Sequence, residues 1–320
     1  MATGDHARPV LAVTALTLAL TPRNLAGLVK ATLSAWLDDR AASMGAALAY
    51  YTLFSMAPLL LIAISVAGAV FGIDTARGEI LAQLTGLLGP EGAAAVASLL
   101  DSVQRNDQSV TGTLLGAALL LVGATTVVAE LQDSLDRIWQ VPAQRATPST
   151  ANGWWLLIRA RLMSFGLILG IGFLLTVSLA VSAALAAWGR WWAPAFGGWQ
   201  TLLSVANQGF GFLLTASLFA SIYKFMPRER VGWLDVALGS AVTALLFTLG
   251  KAAIGSYIGS SGVASGFGAA SAIVVLLIWV YWSAQVFLLG AEFTWVFAHR
   301  FGSRRQSALD PAPESFPIQR

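Results

Sequence analysis

Of the chain's 320 residues, 57% are apolar and only 11% are charged, less than half of the roughly 25% charge carried by a soluble domain. So few charges cannot clothe a water-exposed surface, and a mean hydropathy of +0.71 makes lipid the solvent for the apolar excess. With no cysteine, and with His6 and His299 near opposite ends, a disulfide framework, a thiolate nucleophile, a Cys-ligated metal and a histidine cluster are all excluded. No cofactor and no metal are expected. A net charge of +3 would suit nucleic acid only if the basic residues shared one soluble surface. They follow membrane sidedness instead, so nucleic acid is not an expected partner.

Residues 1–23 form an N-terminal extension. Its apolar run, Val10 to Leu20, is 11 residues long between Arg8 and Pro22, too short to cross a bilayer. A signal-peptide core is one reading, but Asp5 offsets Arg8 and no small-x-small site follows, so a disordered or surface-lying extension is expected. From Asn24, the residues Leu25, Leu28, Val29, Trp36 and Leu37 recur at helical spacing among Lys30, Asp38, Asp39 and Arg40. That pattern predicts an interfacial helix.

Six runs, uncharged through their centres, are long enough to span, near residues 46–72, 110–129, 162–187, 201–223, 232–254 and 269–297. The expected fold is therefore all-α: a polytopic bundle of about six transmembrane helices over residues 24–300, with short amphipathic interfacial helices. After the first span, one apolar stripe holds Ile80, Leu84, Leu87 and Leu88, and a second, beyond Gly89-Pro90, holds Val96, Leu99, Leu100 and Val103. Two short amphipathic helices follow from that spacing. Leu131, Leu135, Ile138 and Trp139 extend the second span as an amphipathic helix ended by Pro142. Gly255 to Gly268, rich in Gly and Ser, is expected to be a flexible loop. Residues 301–320, with three prolines, are expected to be a disordered tail.

The Lys and Arg residues set the orientation. Fifteen lie on one side, before the first span, after the second, after the fourth and after the sixth; four, Arg77, Arg105, Arg190 and Lys251, lie on the other. Both termini are accordingly expected in the cytoplasm.

Polar groups at membrane depth are the candidates for function. In the last span Tyr281, Gln285, Leu288 and Glu292 share a face, and all three polar side chains are expected to face the bundle interior. Glu292 is expected to pair with Tyr50, Tyr51 or Ser55 of the first span, or with Arg159 or Arg161 at the third. In the first span Pro58 frees the carbonyl of Phe54, so a kink is expected there. Glu130, Asp133 and Asp136 fall within seven residues and are read as a solvated helix face in preference to a cation site. No nucleophile-and-base set is found, so no enzymatic activity is expected.

The stretch AALAYYTLFSMAPLLLIAISVAG, Ala46 to Gly68, resembles the opening signature of the YihY/BrkB family of bacterial inner-membrane proteins. IVVLLIWVYWSAQVFLLGAEF, Ile273 to Phe293, resembles its closing signature, and ELQDSLDRIWQVP and YKFMPRERVGW fit between them. By position Tyr50, Tyr51, Ser55, Pro58, Tyr223, Pro227, Gly290 and Glu292 match the motifs; Gln285 joins them from the helical stripe. The resemblance implies a six-span inner-membrane protein. Some members carry the name ribonuclease BN, others that of virulence factor, and a part in moving envelope lipids is suggested for relatives. A transporter or lipid-translocating envelope protein with membrane lipids as partners is the leading expectation. The alternatives are a scaffold that binds envelope proteins and, more remotely, a ribonuclease.

Overall fold

A computed structural model of the chain describes residues 22–106, 126–142, 199–261 and 271–305, and all regular secondary structure within them is helical. The helices are α1 (Pro22–Asp38), α2 (Ala41–Phe71), α3 (Ile73–Asn106), α4 (residues 126–138), α5 (Trp199–Phe225), α6 (Trp233–Ser260) and α7 (Ser271–Arg300). Trp233–Ser260 and Ile273–Arg300 are long and apolar enough to cross a membrane by length and composition. Helices α2, α5, α6 and α7 occupy the stretches expected to hold the first, fourth, fifth and sixth spans. Most of the second span and all of the third lie outside the described residues, as do residues 1–21, residues 262–268 of the Gly/Ser stretch, and the tail from 306. The remainder of that stretch is not a loop, because α6 stays helical to Ser260.

Helix α1 begins at a proline, where the missing N–H is one that the first turn would leave unbonded anyway. Its apolar residues divide between two surroundings. Leu28 packs on Val296 and Phe297 of α7, whereas Leu25, Val29, Leu33 and Leu37 form an exposed stripe along the outer side. An amphipathic helix with an apolar face turned away from its own protein suits the boundary of a bilayer. Arg40, at φ 54°, turns the corner into α2.

Gly72, at φ 87°, ends α2, and only glycine adopts that conformation without strain. A Cβ at Gly68 would stand 2.9 Å from Ile73 Cγ1, so both glycines permit the sharp reversal into α3. Within α3, Arg77 pairs with Asp101, 24 positions later. An unbroken helix would hold those residues about 36 Å apart. The helix must therefore double back near its middle, where Gly89 precedes Pro90, a residue with no N–H to give the helical ladder. The two apolar stripes of the sequence are the arms of this bend. Ile80, Leu81 and Leu84 from one arm, and Ala95, Val96 and Leu100 from the other, pack with Ile254 and Ile258 of α6 and Val275, Leu276 and Trp279 of α7.

At the opposite end, where α2 and α6 begin and α4, α5 and α7 finish, a second core gathers Ala41, Leu48, Leu135, Ile138, Tyr223, Val236, Phe287, Leu288 and Ala291. Polar clamps close this end. Asp136 accepts the backbone N–H of Arg228 at 2.8 Å and pairs with its guanidinium at 3.1 Å. Burial pushes the Asp136 carboxyl up, and the N–H and charge of Arg228 pull it back. Asp136 is thus a buried clamp and not part of a solvated face. Buried Asp235 accepts the N–H of Ser303 at 3.3 Å, and Arg304 donates to Glu229 at 2.7 Å. Residues 301–305 are therefore tied to the bundle, which corrects the expectation of a free tail from 301.

Helices α6 and α7 interlock through two copies of one pattern, Gly-x-x-x-Thr, at Gly239 to Thr243 and at Gly290 to Thr294. Each threonine hydroxyl donates to the carbonyl of its own glycine at 2.7 Å, which removes its need for a partner across the interface. Each glycine faces the threonine of the other helix. A Cβ at Gly239 would come within 2.8 Å of Thr294 Cβ, and one at Gly290 within 2.8 Å of Thr243 Cβ and 2.7 Å of the Tyr223 hydroxyl. The backbones approach as closely as they do because neither glycine has a side chain.

Gly239→Ala or Gly290→Ala is expected to destabilise the protein by about 1–3 kcal/mol through overpacking. The readout is thermal unfolding in detergent, with Gly255→Ala as the control. Nothing lies within 4 Å of a Cβ at Gly255, so that change is expected to leave the midpoint unchanged or raised, with a stability gain of up to about 1 kcal/mol. Equal behaviour of all three would contradict the interlock.

Candidate functional site

The α6–α7 interlock also decides where Glu292 points. Gly290 and Thr294 face α6, and Glu292, two residues from each, is turned about 200° around the helix. It projects toward α1 and the end of α4. There a cavity of about 540 Å³ is lined by Lys30, Ser34, Asp38 and Asp39 from α1 and its corner, Ile138 and Gln140 from the end of α4, and Glu292, Trp295 and Arg300 from α7.

Glu292 is 1% exposed; among the described residues no donor reaches its carboxylate oxygens, and the Asp39 carboxyl lies within side-chain hydrogen-bonding reach of it. Such a group is costly to keep, since a buried charge or acceptor is ordinarily paired. Its nearest charged neighbours are Asp39 and Asp38, of the same sign. The basic groups stand at the rim: Arg300 donates to the Gly27 carbonyl at 3.1 Å, and Lys30 is exposed. Among the described residues the non-glycine positions with positive φ are Arg40 and Gln140. Both flank this cavity, and each conformation costs about 1 kcal/mol or more.

The rim continues into apolar ground. Lys30 also borders the exposed apolar face of α1 formed by Pro22, Leu25, Ala26, Val29 and Leu33. Leu33 in turn borders a groove of about 440 Å³ between α1, α6 and α7, walled by Trp36, Leu246, Leu249 and Trp282. A cavity with charged groups beside such apolar surface has the division of surface found in an amphiphile.

The structure disperses the remaining sequence candidates. Tyr50 is exposed and meets Tyr51 edge-to-face and Phe54 at a tilt, both on its own helix. Ser55 is buried and donates to the Thr52 carbonyl at 3.1 Å. Pro58 lies within α2, which is assigned as one continuous helix through it. Tyr223 is buried, donates to the Phe287 carbonyl at 2.7 Å and lies 3.1 Å from the Thr243 hydroxyl. Pro227 is buried in the turn after α5. Gln285 packs over Gly45 and donates to the Ala42 carbonyl at 3.4 Å. Gly290 belongs to the interlock. The described side chains among these pack or tether, and they do not gather around Glu292.

Two expectations are corrected. None of Tyr50, Tyr51 and Ser55 bonds Glu292, whose neighbour is Asp39; Arg159 and Arg161, the other expected partners, lie outside the described residues. Nor do the three polar groups of α7 share one environment, because Tyr281 is 36% exposed. They do share an angular position. What stands opposite changes along α7: at Glu292 it is α1 and the Asp39 corner, whereas Tyr281 keeps about a third of its surface exposed. Sequence reasoning missed Asp38 and Asp39, which read as the solvated side of an interfacial helix, and a contact spanning some 250 positions leaves no local signal.

Glu292→Gln is expected to leave the protein inserted, with a thermal midpoint in detergent equal to or above that of the wild type, because the amide removes the like-charge contact with Asp39 and Asp38 and can donate to Asp39. A fall of several degrees, roughly the shift from losing 1 kcal/mol, would reveal a structural partner and contradict the assignment.

Over residues 32–315 the chain matches the family model described as Virulence factor BrkB. It is 29% identical over 262 residues to a UPF0761 membrane protein of Tolumonas auensis, covering 80% of each chain. A UPF0761 membrane protein of Vibrio vulnificus is 24% identical over 255 residues, 79% of this chain and 76% of the relative. One from Alcanivorax borkumensis is 28% identical over 257 residues, 80% of this chain and 56% of the relative. No solved structure matches. Because the match takes in every described helix from α2 to α7, together with the last seven residues of α1, the chain belongs to the BrkB family of membrane proteins.

Proposed function

We propose that this chain is a multi-pass protein of the bacterial inner membrane, with about six spans and both termini in the cytoplasm, that translocates lipid. The observation that supports the reading is the buried carboxylate of Glu292 beside a cavity of mixed lining whose rim adjoins the exposed apolar face of α1. A lipid presents that same pairing of polar head and apolar chains. The outward stripe Leu25, Val29, Leu33 and Leu37 gives the cavity mouth a lipid-facing border.

Sidedness supports a cytoplasmic site. Arg40, Arg137, Lys224, Arg228, Arg230, Arg300 and Arg304 gather at the end of the bundle that holds the cavity, whereas Arg77 and Lys251 belong to the other end. Basic residues are retained on the cytoplasmic side. Reporters fused after Arg145, Arg230 or Arg305 are expected to report cytoplasm, and reporters near Gly92, Arg190 or Gly262 the external side. One reversed site breaks the six-span arrangement.

Translocation is tested by reconstituting the full chain in liposomes that contain fluorescent phospholipid and following the rate at which inner-leaflet lipid becomes accessible to an external quencher. A rate well above that of protein-free liposomes, lost in Glu292→Gln, is expected. A wild-type rate equal to that of empty liposomes would contradict the reading.

A further inference from the structure

Glu292 and Asp39 meet where the end of α1 lies against α7. Glu292 is buried, no donor of the described residues reaches its oxygens, and the Asp39 carboxyl stands within side-chain hydrogen-bonding reach. Two ionised carboxylates cannot bond each other, because both only accept. One proton between them turns the contact into a charge-assisted O–H···O bond, among the stronger hydrogen bonds. The elements packed around the pair leave that need unmet. From α1 come Asp38, which accepts from Ser34 at 3.4 Å, and Lys30, which is exposed at the rim; Arg40, at the corner, is exposed as well. Helix α7 adds Arg300, engaged with the Gly27 carbonyl at 3.1 Å, and His299, whose Nδ1 lies 2.9 Å from the Trp295 carbonyl. The end of α4 presents the uncharged Ile138 and Gln140, with Asp136 paired to Arg228 and Arg137 exposed. Helix α2 carries no charged residue. The last turn of α1 has no basic residue either, so the negative end of its dipole opposes a further negative charge there.

We infer that Glu292 and Asp39 form a proton-binding site, holding one proton between them, and that this proton latches the end of α1 to α7. With the proton in place the corner at Arg40 stays docked. When the proton leaves to water through the cavity, past Asp38 and Ser34, two like charges face each other and drive the corner from α7. Leu28 on Val296 and Phe297, and the bond from Arg300 to the Gly27 carbonyl, hold the earlier part of α1, so the corner parts while the helix stays attached. The α6–α7 interlock is on the other side of α7 and is not disturbed. The docked form binds one proton more than the parted form. Docking is therefore favoured at low pH and weakens as pH rises, by up to about tenfold for each pH unit once the parted carboxyls are ionised. The ligand is a proton, and the site stands whether or not the chain moves lipid.

The test takes infrared spectra of the full-length protein in nanodiscs, which separate the C=O stretch of a protonated carboxyl from the bands of carboxylates. At neutral pH, well above the ordinary carboxylate range, the wild type is expected to show a protonated carboxyl. That band should vanish in Glu292→Gln, where the amide donates to Asp39 in place of the proton. In Asp39→Asn it should shift or vanish, because the proton's other acceptor has become an amide. Asp38→Asn should leave it unmoved. Thermal unfolding of the same samples reads the latch: wild type and Glu292→Gln are expected to melt together near about pH 5, the wild type falling progressively below the variant toward about pH 9. Should one variant fail to fold, the other carries the spectroscopic test. A wild type with every carboxyl ionised at neutral pH, or a band that neither substitution moves, overturns the shared proton. A gap in midpoint that does not widen with pH overturns the latch.

Discussion

Close contact between α6 and α7 governs the rest of the structure. In lipid no hydrophobic force drives helices together, so association depends on backbones that can approach and on polar groups already satisfied. Gly239 and Gly290 supply the space, and the hydroxyls of Thr243 and Thr294 are bonded to the carbonyls of their own helices before they meet the opposing glycine. Tyr223 then joins α5 to the same junction through the Phe287 carbonyl. The rotation of α7 is fixed by this contact. That rotation sends Glu292 to the opposite side, where α1 and the corner at Arg40 complete a cavity around it.

The two ends of the bundle are built differently. One is closed by clamps that partner two buried carboxylates, Asp136 with Arg228 and Asp235 with Ser303. The contrast makes Glu292 informative, because the same region that satisfies Asp136 and Asp235 leaves this carboxylate facing a cavity. The other end holds the bent helix α3, whose arms cover the ends of α2, α6 and α7 with apolar residues. Its reversal at Gly89-Pro90 lets a segment with many charged residues return along itself and pair Arg77 with Asp101.

The periodicities carried much of the fold. The apolar runs at α2, α5, α6 and α7 and the stripes on either side of Gly89-Pro90 were legible because burial and lipid impose a regular spacing. Local composition misled where tertiary contact prevailed. Residues 255–260 are rich in Gly and Ser yet helical, and Ser303 and Arg304 are held by partners some 70 positions away. The site was half legible. Glu292 stood out as a carboxylate in an apolar helix, whereas Asp38 and Asp39 looked like an ordinary solvated face. The Gly-x-x-x-Thr repeat was visible in GSAVT and GAEFT, and its meaning emerges only when the two segments lie antiparallel.

The central claim is that the fold buries Glu292 against Asp39 beside a cavity that adjoins lipid. An electron cryomicroscopy structure of the full-length protein in nanodiscs tests it most directly. The account predicts the Glu292 and Asp39 carboxyls within hydrogen-bond distance of each other, with lipid density along Leu25, Val29 and Leu33. A carboxylate paired with an arginine of this chain, in a cavity closed to lipid, would contradict it.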